Sequence, residues 1–451
     1  MKDNGGALAR IVFLLIFTGP SPAQGQEISH STVNDLQSNI TYALHNHPQL
    51  KEEENLLSAA KAEVEFFRAL YRPRLTVEVD LIHFLKQEGD VLVAGNIVTR
   101  EGQRPDSFYS PSLLLTVPLF REGQLVFLTL PSEQKATADL EAEEASHRAS
   151  QADIVFNVSE SFYTVLKDLE EIKLLEKKIA PTEGLYKAAL GKFNQGLIAK
   201  NDLLTAEVQL ANSKRDLKTS QTNLAASVAT LLKNMGLDPA TTISIKEIKQ
   251  GFGPLPRLPP FQDLLNIASQ NHPLVSSQQA QIRSAREKFR LAKNERYPNI
   301  TAGSRMSTAR DFADESTSTE WRVGLNMTWN FFDLFDFSAA NAKMRQADYD
   351  VKAQEIALIG VKHDIAEEVT RVFQEIKNIE NQQPALDKAI EQAREALKLA
   401  EGRYRQGLLP ESAIFLAQDQ ETGLQRAFLD AQYQQHIKHA ALRKAVGDWA
   451  R

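Results

Sequence analysis

Two different periods of hydrophobic position run along the chain. In long stretches the apolar residues fall three and four apart: Val158, Phe162, Val165, Leu169 and Ile172, and again Ile365, Val369, Val372, Ile376 and Ile379. This is the 3.5-residue repeat of a coiled-coil seam, and it predicts helices packed along one stripe with polar faces elsewhere. From Ser132 to Ala180 there is neither Pro nor Gly, and the helix formers Ala, Glu, Gln, Lys and Leu are abundant. At about 1.5 Å per residue the stretch predicts a rod of roughly 70 Å, longer than the helices of compact domains.

Four shorter segments alternate with a period of two. In "LTVEVDL" the residues Leu75, Val77, Val79 and Leu81 oppose Thr76, Glu78 and Asp80. "WRVGLNMTW" sets Trp321, Val323, Leu325, Met327 and Trp329 against Arg322, Gly324, Asn326 and Thr328. Its two Trp residues bound an apolar face roughly 26 Å long at the rise of a strand. An apolar band of about 25 Å, edged by an aromatic girdle and backed by a polar lumen, is the pattern of an outer-membrane barrel strand. "SLLLTV" (112–117) and "ITAGSRM" (300–306) are weaker strands. The first pair, about 74–118, is joined by "KQEGDVLVAGNIVTREGQRPDSFY" and the second, about 299–329, by the shorter "STARDFADESTSTE". A soluble antiparallel sheet with one wet face alternates in the same way.

The two periods recur in the same order because the chain is duplicated. "NHP" occurs at Asn46 and at Asn271, and in each copy a second Pro follows 25 residues after the first, at Pro73 and Pro298. Further on, "LTVPLF" answers "MTWNFF", "KFNQGL" answers "RYRQGL" and "LKNMG" answers "LRKAVG". The offset falls from 225 to 211 across the shorter second loop. The organisation read from this is a leader (1–25), a first repeat (26–236), a Pro-rich linker (237–262) with "TISIKEI" as a possible short strand, and a second repeat (263–451). Each repeat reads helix, strand pair, helix, hairpin tip, helix, with tips near Gly196 and Gly407. The Asn-His-Pro phrases read as helix-start signals that need no chemistry of their His residues.

Composition narrows the function. The start, "MKDNGGALARIVFLLIFTGPSPAQGQ", has Lys2 and Arg10 before the apolar run 11–17, then small residues, as in a Sec-type secretory signal peptide. The chain has no cysteine, which rules out disulfides, thiolate metal sites and a lipid-anchored N-terminal cysteine. A formal net charge of -6 and the absence of nucleic-acid motifs argue against a nucleic-acid partner. No phosphate-binding glycine loop, HExxH pair or nucleophile elbow is present, so neither catalytic residues, nor a cofactor, nor a metal site is expected. No segment is apolar enough for a spanning helix, so a membrane crossing would use strands. Four strands cannot close a barrel in lipid without unsatisfied edges, and the chain is therefore expected to share its barrel with other copies.

The duplicated order, with "TVPLFREG", "MTWNFFD" and the paired "FNQGL" and "YRQGL" turns, resembles the TolC family of outer-membrane efflux and secretion channels. The resemblance implies an α+β membrane protein in which long coiled-coil helices form an α-barrel in the periplasm. Each chain of a homotrimer gives four strands to a twelve-strand transmembrane β-barrel in the bacterial outer membrane. It implies a passive conduit of a tripartite efflux or type I secretion system, with outer-membrane lipid, a periplasmic adaptor (membrane fusion protein) and an inner-membrane transporter as partners. The adaptor would meet the tips at Gly196, Leu197, Gly407 and Leu408, and Trp321 and Trp329 would form the membrane-interface girdle. For the gate, the resemblance implies a bond between Tyr404 and Asp202. The chain departs from the family pattern at Leu409, Ala413 and Leu416, where an Arg and two lumenal Asp are expected, while Glu411 offers a carboxylate at another angle. A periplasmic coiled-coil adaptor or other soluble structural protein shares the leader and the helical hairpins, but needs neither Trp-bounded strands nor two complete copies.

Overall fold

The structure is a computed structural model, and it describes residues 35–83, 91–93, 96–98, 107–241, 255–311 and 317–447. The leader 1–25, most of the first strand-to-strand loop and the "TISIKEI" segment lie outside the described residues. The first repeat runs through α1 (Leu36–Asn46), α2 (Pro48–Leu70), β1 (Arg74–His83), β2 (Val91–Val93), β3 (Asn96–Val98), β4 (Ser107–Arg121), β5 (Gln124–Leu125), α3 (Pro131–Asn194) and α4 (Lys200–Asn234). The second has α5 (Phe261–Asn271), α6 (Pro273–Asn294), β6 (Asn299–Asp311), β7 (Thr317–Thr328), α7 (Ala339–Arg405) and α8 (Glu411–Val446).

Both Asn-His-Pro phrases sit where one helix stops and the next starts. Asn46 ends α1, Pro48 takes the first position of α2 where its missing N–H costs nothing, and His47 Nδ1 accepts a hydrogen bond from Gln49 N at 3.3 Å. His272 repeats this at α6, accepting from Leu274 N at 3.2 Å. Against each kink packs the C-terminal glycine of its repeat's last helix. A Cβ on Gly236 would stand 2.8 Å from His47 Cα, and one on Gly447 would stand 3.0 Å from His272 Cα. Glycine lets the helix end and the kink touch, closing each repeat on itself.

The coiled-coil seams lie in two matching cores. Val158, Phe162 and Val165 of α3 pack with Leu231 of α4, with Met235 at its C-terminal cap and with Ala43 and Leu50 of α1 and α2. Val369, Val372 and Ile376 of α7 pack with Leu442 and Val446 of α8 and with Ala268 and Val275 of α5 and α6. The rods run on to the predicted tips, α3 well past the Pro- and Gly-free stretch 132–180. α3 spans 64 residues and continues through Pro181, and α7 spans 67 residues through Pro384, so each is roughly 100 Å long at about 1.5 Å per residue. An internal Pro costs a helix about 3 kcal/mol, and the flanking helix formers together with packing along α4 and α8 offset it.

All four long strands join one antiparallel sheet in the order β1-β4-β6-β7, which leaves β1 and β7 as edges. They are longer than the alternation indicated. β4 absorbs Pro111 and Pro118, the latter at a register shift where a ladder N–H is not required. Most of the predicted "STARDFADESTSTE" loop is strand, since β6 runs to Asp311 and β7 starts at Thr317. Its Ser and Thr residues suit a strand but lack apolar alternation. Within the first loop, β2 and β3 form a small hairpin of their own. α5 begins at Phe261, just inside the segment assigned to the linker, directly after Pro259 and Pro260.

Sheet and rods meet at a clasp. Glu122, in the turn after β4, accepts hydrogen bonds from Tyr71 Oη at 2.9 Å and from Ser132 N at 3.0 Å, at the end of α2 and the start of α3. Asn294, closing α6, donates to Glu122 O at 2.7 Å. The strands therefore stand at one end of the rods and the helical turns at the other.

Candidate functional site

At the strand end, side chains sort by parity as the register requires. Val77, Leu113, Met306 and Trp321 form one row across the sheet, and Leu75, Leu115, Ser304 and Val323 the next. Most of these are exposed large apolar groups, Trp321 to 75%. The opposite face carries Glu78, Arg305, Glu320 and Arg322. Arg305 and Arg322 are direct cross-strand partners, a like-charge arrangement that is unfavourable alone. Each has its own carboxylate: Arg305 reaches over β4 to Glu78 at 2.7 Å, and Arg322 holds Glu320 at 2.5 Å.

The Trp pair is less symmetric than its sequence suggests. Trp321 lies within β7, its indole N–H donating to Ser304 Oγ at 2.8 Å. Trp329 falls one residue past the strand and donates to Arg296 O at 3.0 Å. Beyond it, a 3-10 turn (Phe331–Leu334) and the following residues expose Phe331, Phe332, Phe335 and Phe337 in a chain of ring contacts. The aromatic edge at the helix side of the sheet is thus a Phe cluster as much as a Trp, which the period-two pattern could not include.

The tips are two copies of one helix-ending motif. Gly196 and Gly407 adopt φ of +70° and +73°. Leu197 N donates to Lys192 O and Leu408 N to Arg403 O, both at 2.9 Å, while Gly196 N donates to Phe193 O at 2.8 Å and Gly407 N to Tyr404 O at 2.9 Å. This is a Schellman ending, and it leaves Leu197 and Leu408 each 68% exposed at the point of the hairpin.

Around the tips the structure gathers Tyr404, Asp202, Lys192 and Glu411, but not in the pairing implied by the resemblance. Tyr404 Oη accepts from Lys192 Nζ at 3.0 Å, and that ammonium also lies 4.2 Å from the Tyr404 ring centroid. Asp202 is exposed in the first turn of α4 and acts on the cluster by its charge. The buried carboxylate is Glu411, 8% exposed, whose Oε1 has no hydrogen-bond partner. Burial raises its pKa, Lys192 and a hydrogen bond from Tyr404 partly offset the rise, and Asp202 adds to it. Lys192 was missed from the sequence because its partner stands 212 positions away on another hairpin. Leu409 and Ala413 are half-buried and Leu416 is exposed, so none of these three positions supplies a charge.

The sequence profile of the outer membrane efflux protein family matches residues 39–237 and 264–448, most of both repeats. The chain belongs to this family. Its members are outer-membrane channels of tripartite efflux systems, trimeric and working with pump partners, and this chain is such a channel subunit on the TolC-like fold. Outer membrane protein TolC of Escherichia coli (strain K12) is 21% identical over 358 residues, covering 75% of this chain and 69% of that one. The Campylobacter jejuni CmeC outer membrane channel superposes with a TM-score of 0.78 at 14% identity, over 92% of this chain and 86% of its own. The Neisseria gonorrhoeae MtrE outer membrane channel, in its open state, gives 0.74 at 17% identity, over 93% and 90%. In this family's terms the sheet is the membrane end and the paired Leu tips are the far end of the helical extension. Among the described residues no helix is long and apolar enough to cross a membrane.

Proposed function

We propose that three copies form a passive conduit, their sheets joined edge to edge into a twelve-strand barrel in the outer membrane and their rods into a helical tube through the periplasm. The observation that carries this reading is a four-strand sheet with two open edges and an exposed apolar face, fixed to rods roughly 100 Å long. Alone in lipid, β1 and β7 would leave backbone groups unpaired; joined to neighbours, they would not. The apolar face meets outer-membrane lipid. The charged face, balanced by Glu78 and Glu320, lines water.

The exposed Leu197 and Leu408 turns are the surface for a periplasmic adaptor, which couples the conduit to an inner-membrane transporter of an efflux or type I secretion system. Tyr404, with Lys192 and Glu411, holds the two tips of one chain together, Asp202 modulates them, and parting them opens the pore. The chain itself supplies no chemical step. The N-terminal apolar run serves as a removable Sec-type leader.

Planar-bilayer recording of the detergent-extracted protein tests the reading. A trimeric mass with discrete conductance steps is expected. A water-soluble monomer that never conducts would overturn it in favour of a soluble coiled-coil protein.

A further inference from the structure

The duplication allows one half of the chain to be compared, position by position, with the other. α6 packs on α7 of its own repeat and also on α3 of the first repeat. Its counterpart α2 packs on its own α3, but among the described residues the partner corresponding to the second contact is missing. That partner would be a face of α7. On α3 the corresponding face is a row of alanines, Ala138, Ala142, Ala145 and Ala152, all buried, with Ser277 of α6 donating to Ala142 O at 3.1 Å. Shifted by the repeat offset of 211, those positions become Tyr349, Ala353, Ile356 and His363 of α7. All four are exposed, Tyr349 to 68% and Ile356 to 69%. Large apolar groups in a row on a rod in water call for a cover.

We propose that α2 of a second copy of this chain lies on this face of α7, with its Glu65 paired to Arg345. The charge match follows from the seam already formed. Across α3 and α6, Arg290 Nη1 donates to Gln134 Oε1 at 2.8 Å. Moving Gln134 forward by 211 gives Arg345, and moving Arg290 back by 225 gives Glu65. The neutral-to-cationic contact within the chain becomes an anion facing a cation between chains. Glu65 and Arg345 are both exposed, and neither has an ion-pair partner among the described residues. The apolar match follows as well: Leu56 and Phe66, exposed on α2, stand where α6 has Gln281 and Leu291. The two kinds of seam in the helical tube therefore differ. Within a chain, alanines let the rods approach closely beneath polar contacts that include the Arg283–Glu141 ion pair; between chains, Tyr349 stands at the level of Leu56, and Phe66 lies beside the Glu65–Arg345 pair.

This assignment rests on the reading of the chain as an oligomeric conduit, and one experiment separates the two. The chain has no native cysteine, so any thiol cross-link reports only on introduced residues. The full-length double variant Glu65→Cys/Arg345→Cys, extracted in detergent and treated with a short bis-maleimide, is expected to give dimer and trimer bands that neither single variant gives. A trimeric native mass without those bands would overturn the seam while leaving the conduit intact. A monomeric mass would overturn both, and a band with a different polypeptide would assign the face to another partner. Charge reversal guards against a misfolded cysteine variant. Glu65→Arg or Arg345→Glu alone is expected to raise the concentration at which the trimer dissociates roughly tenfold, and the two together to restore it. Failure of the double reversal to restore the trimer would count against the pairing.

Discussion

Gly196 and Gly236 share a backbone conformation, at φ of +70° and +79°, but not their surroundings. Nothing lies within 4 Å of a Cβ placed on Gly196, whereas one on Gly236 would meet the His47 backbone at 2.8 Å. Gly196→Ala should therefore cost about 1 kcal/mol, the left-handed penalty alone, and Gly236→Ala at least twice that, because backbone must also move. Denaturant titration of the two variants in detergent checks the difference. At the tips, the sign of Glu411's shift sets a pH dependence. Its folded pKa is raised, so the stability it contributes is complete below the ordinary Glu value and is lost as pH rises through the folded value. Parting the tips would hydrate the carboxyl and release this constraint. Open probability in bilayers should thus rise with pH from about 4.5 toward neutrality, and Glu411→Gln should flatten the curve. A wild-type profile that falls over this range would refute the assignment. Tyr404 and Asp202 could be picked out in the sequence by resemblance to a family motif. The burial of Glu411 could not, because an acidic residue in the first turn of a helix ordinarily faces water and favours the helix dipole there.

At the scale of elements, legibility followed the strength of the period. The seams of α3 and α7 and the apolar rows of β1 and β7 were readable because each repeats one face several times over. The ends of β4, β6 and β7 were not, because Pro111, Pro118 and the Ser- and Thr-rich stretch before Trp321 carry no alternation, and only pairing with the neighbouring strand fixes them. Pro181 bounds the Pro- and Gly-free stretch read from the sequence, yet α3 passes through it, since tertiary packing decides whether a rod continues. β7 makes the face assignment testable. Leu325 lies midway between Trp321 and Trp329 on the apolar side, with Asn326 on the other. Leu325→Arg should destabilise the folded barrel in vesicles by about 2–4 kcal/mol, and Asn326→Arg should leave its stability nearly unchanged while altering conductance. Equal losses at both positions would remove the distinction between lipid and lumen faces.

At the scale of the whole molecule, the same repeat comparison bears on where the tube comes apart. Toward the tips, α3 and α8 of one chain are linked by Lys178–Asp419 at 2.6 Å, Glu171–Arg426 at 3.3 Å and Lys167–Asp430 at 3.5 Å. Gln209 of α4 adds a hydrogen bond to Asp419 at 2.8 Å. Exposed ion pairs are worth about 0–1 kcal/mol each, but the Lys178 side chain is only 11% exposed, and the links recur along one seam. The counterparts between chains, 211 positions away, are Ala389 with Val208, Gln382 with Arg215, and Asn378 with Thr219. None of these can form an ion pair. Nearer the membrane both seams are tied, since α6 and α3 of one chain share the Arg283–Glu141 ion pair and the seam between chains has the Tyr349 and Ile356 face and the Glu65–Arg345 pair. A trimer built this way is held within and between chains at the membrane end, and toward the tips by ion pairs within chains. Opening should then separate the shafts of neighbouring chains' hairpins, while within a chain the two hairpins stay linked along α3 and α8 and part only at their points, where Tyr404, Lys192 and Glu411 stand. Bridging Ala389→Cys to Val208→Cys of the adjoining copy should abolish the conductance increase that accompanies opening, and reduction of the bridge should restore it. Bridging Lys178→Cys to Asp419→Cys within a chain should leave opening intact. If the bridge within the chain blocks the pore instead, the hairpins part inside each subunit, and the ion pairs along α3 and α8 are the contacts that opening must break.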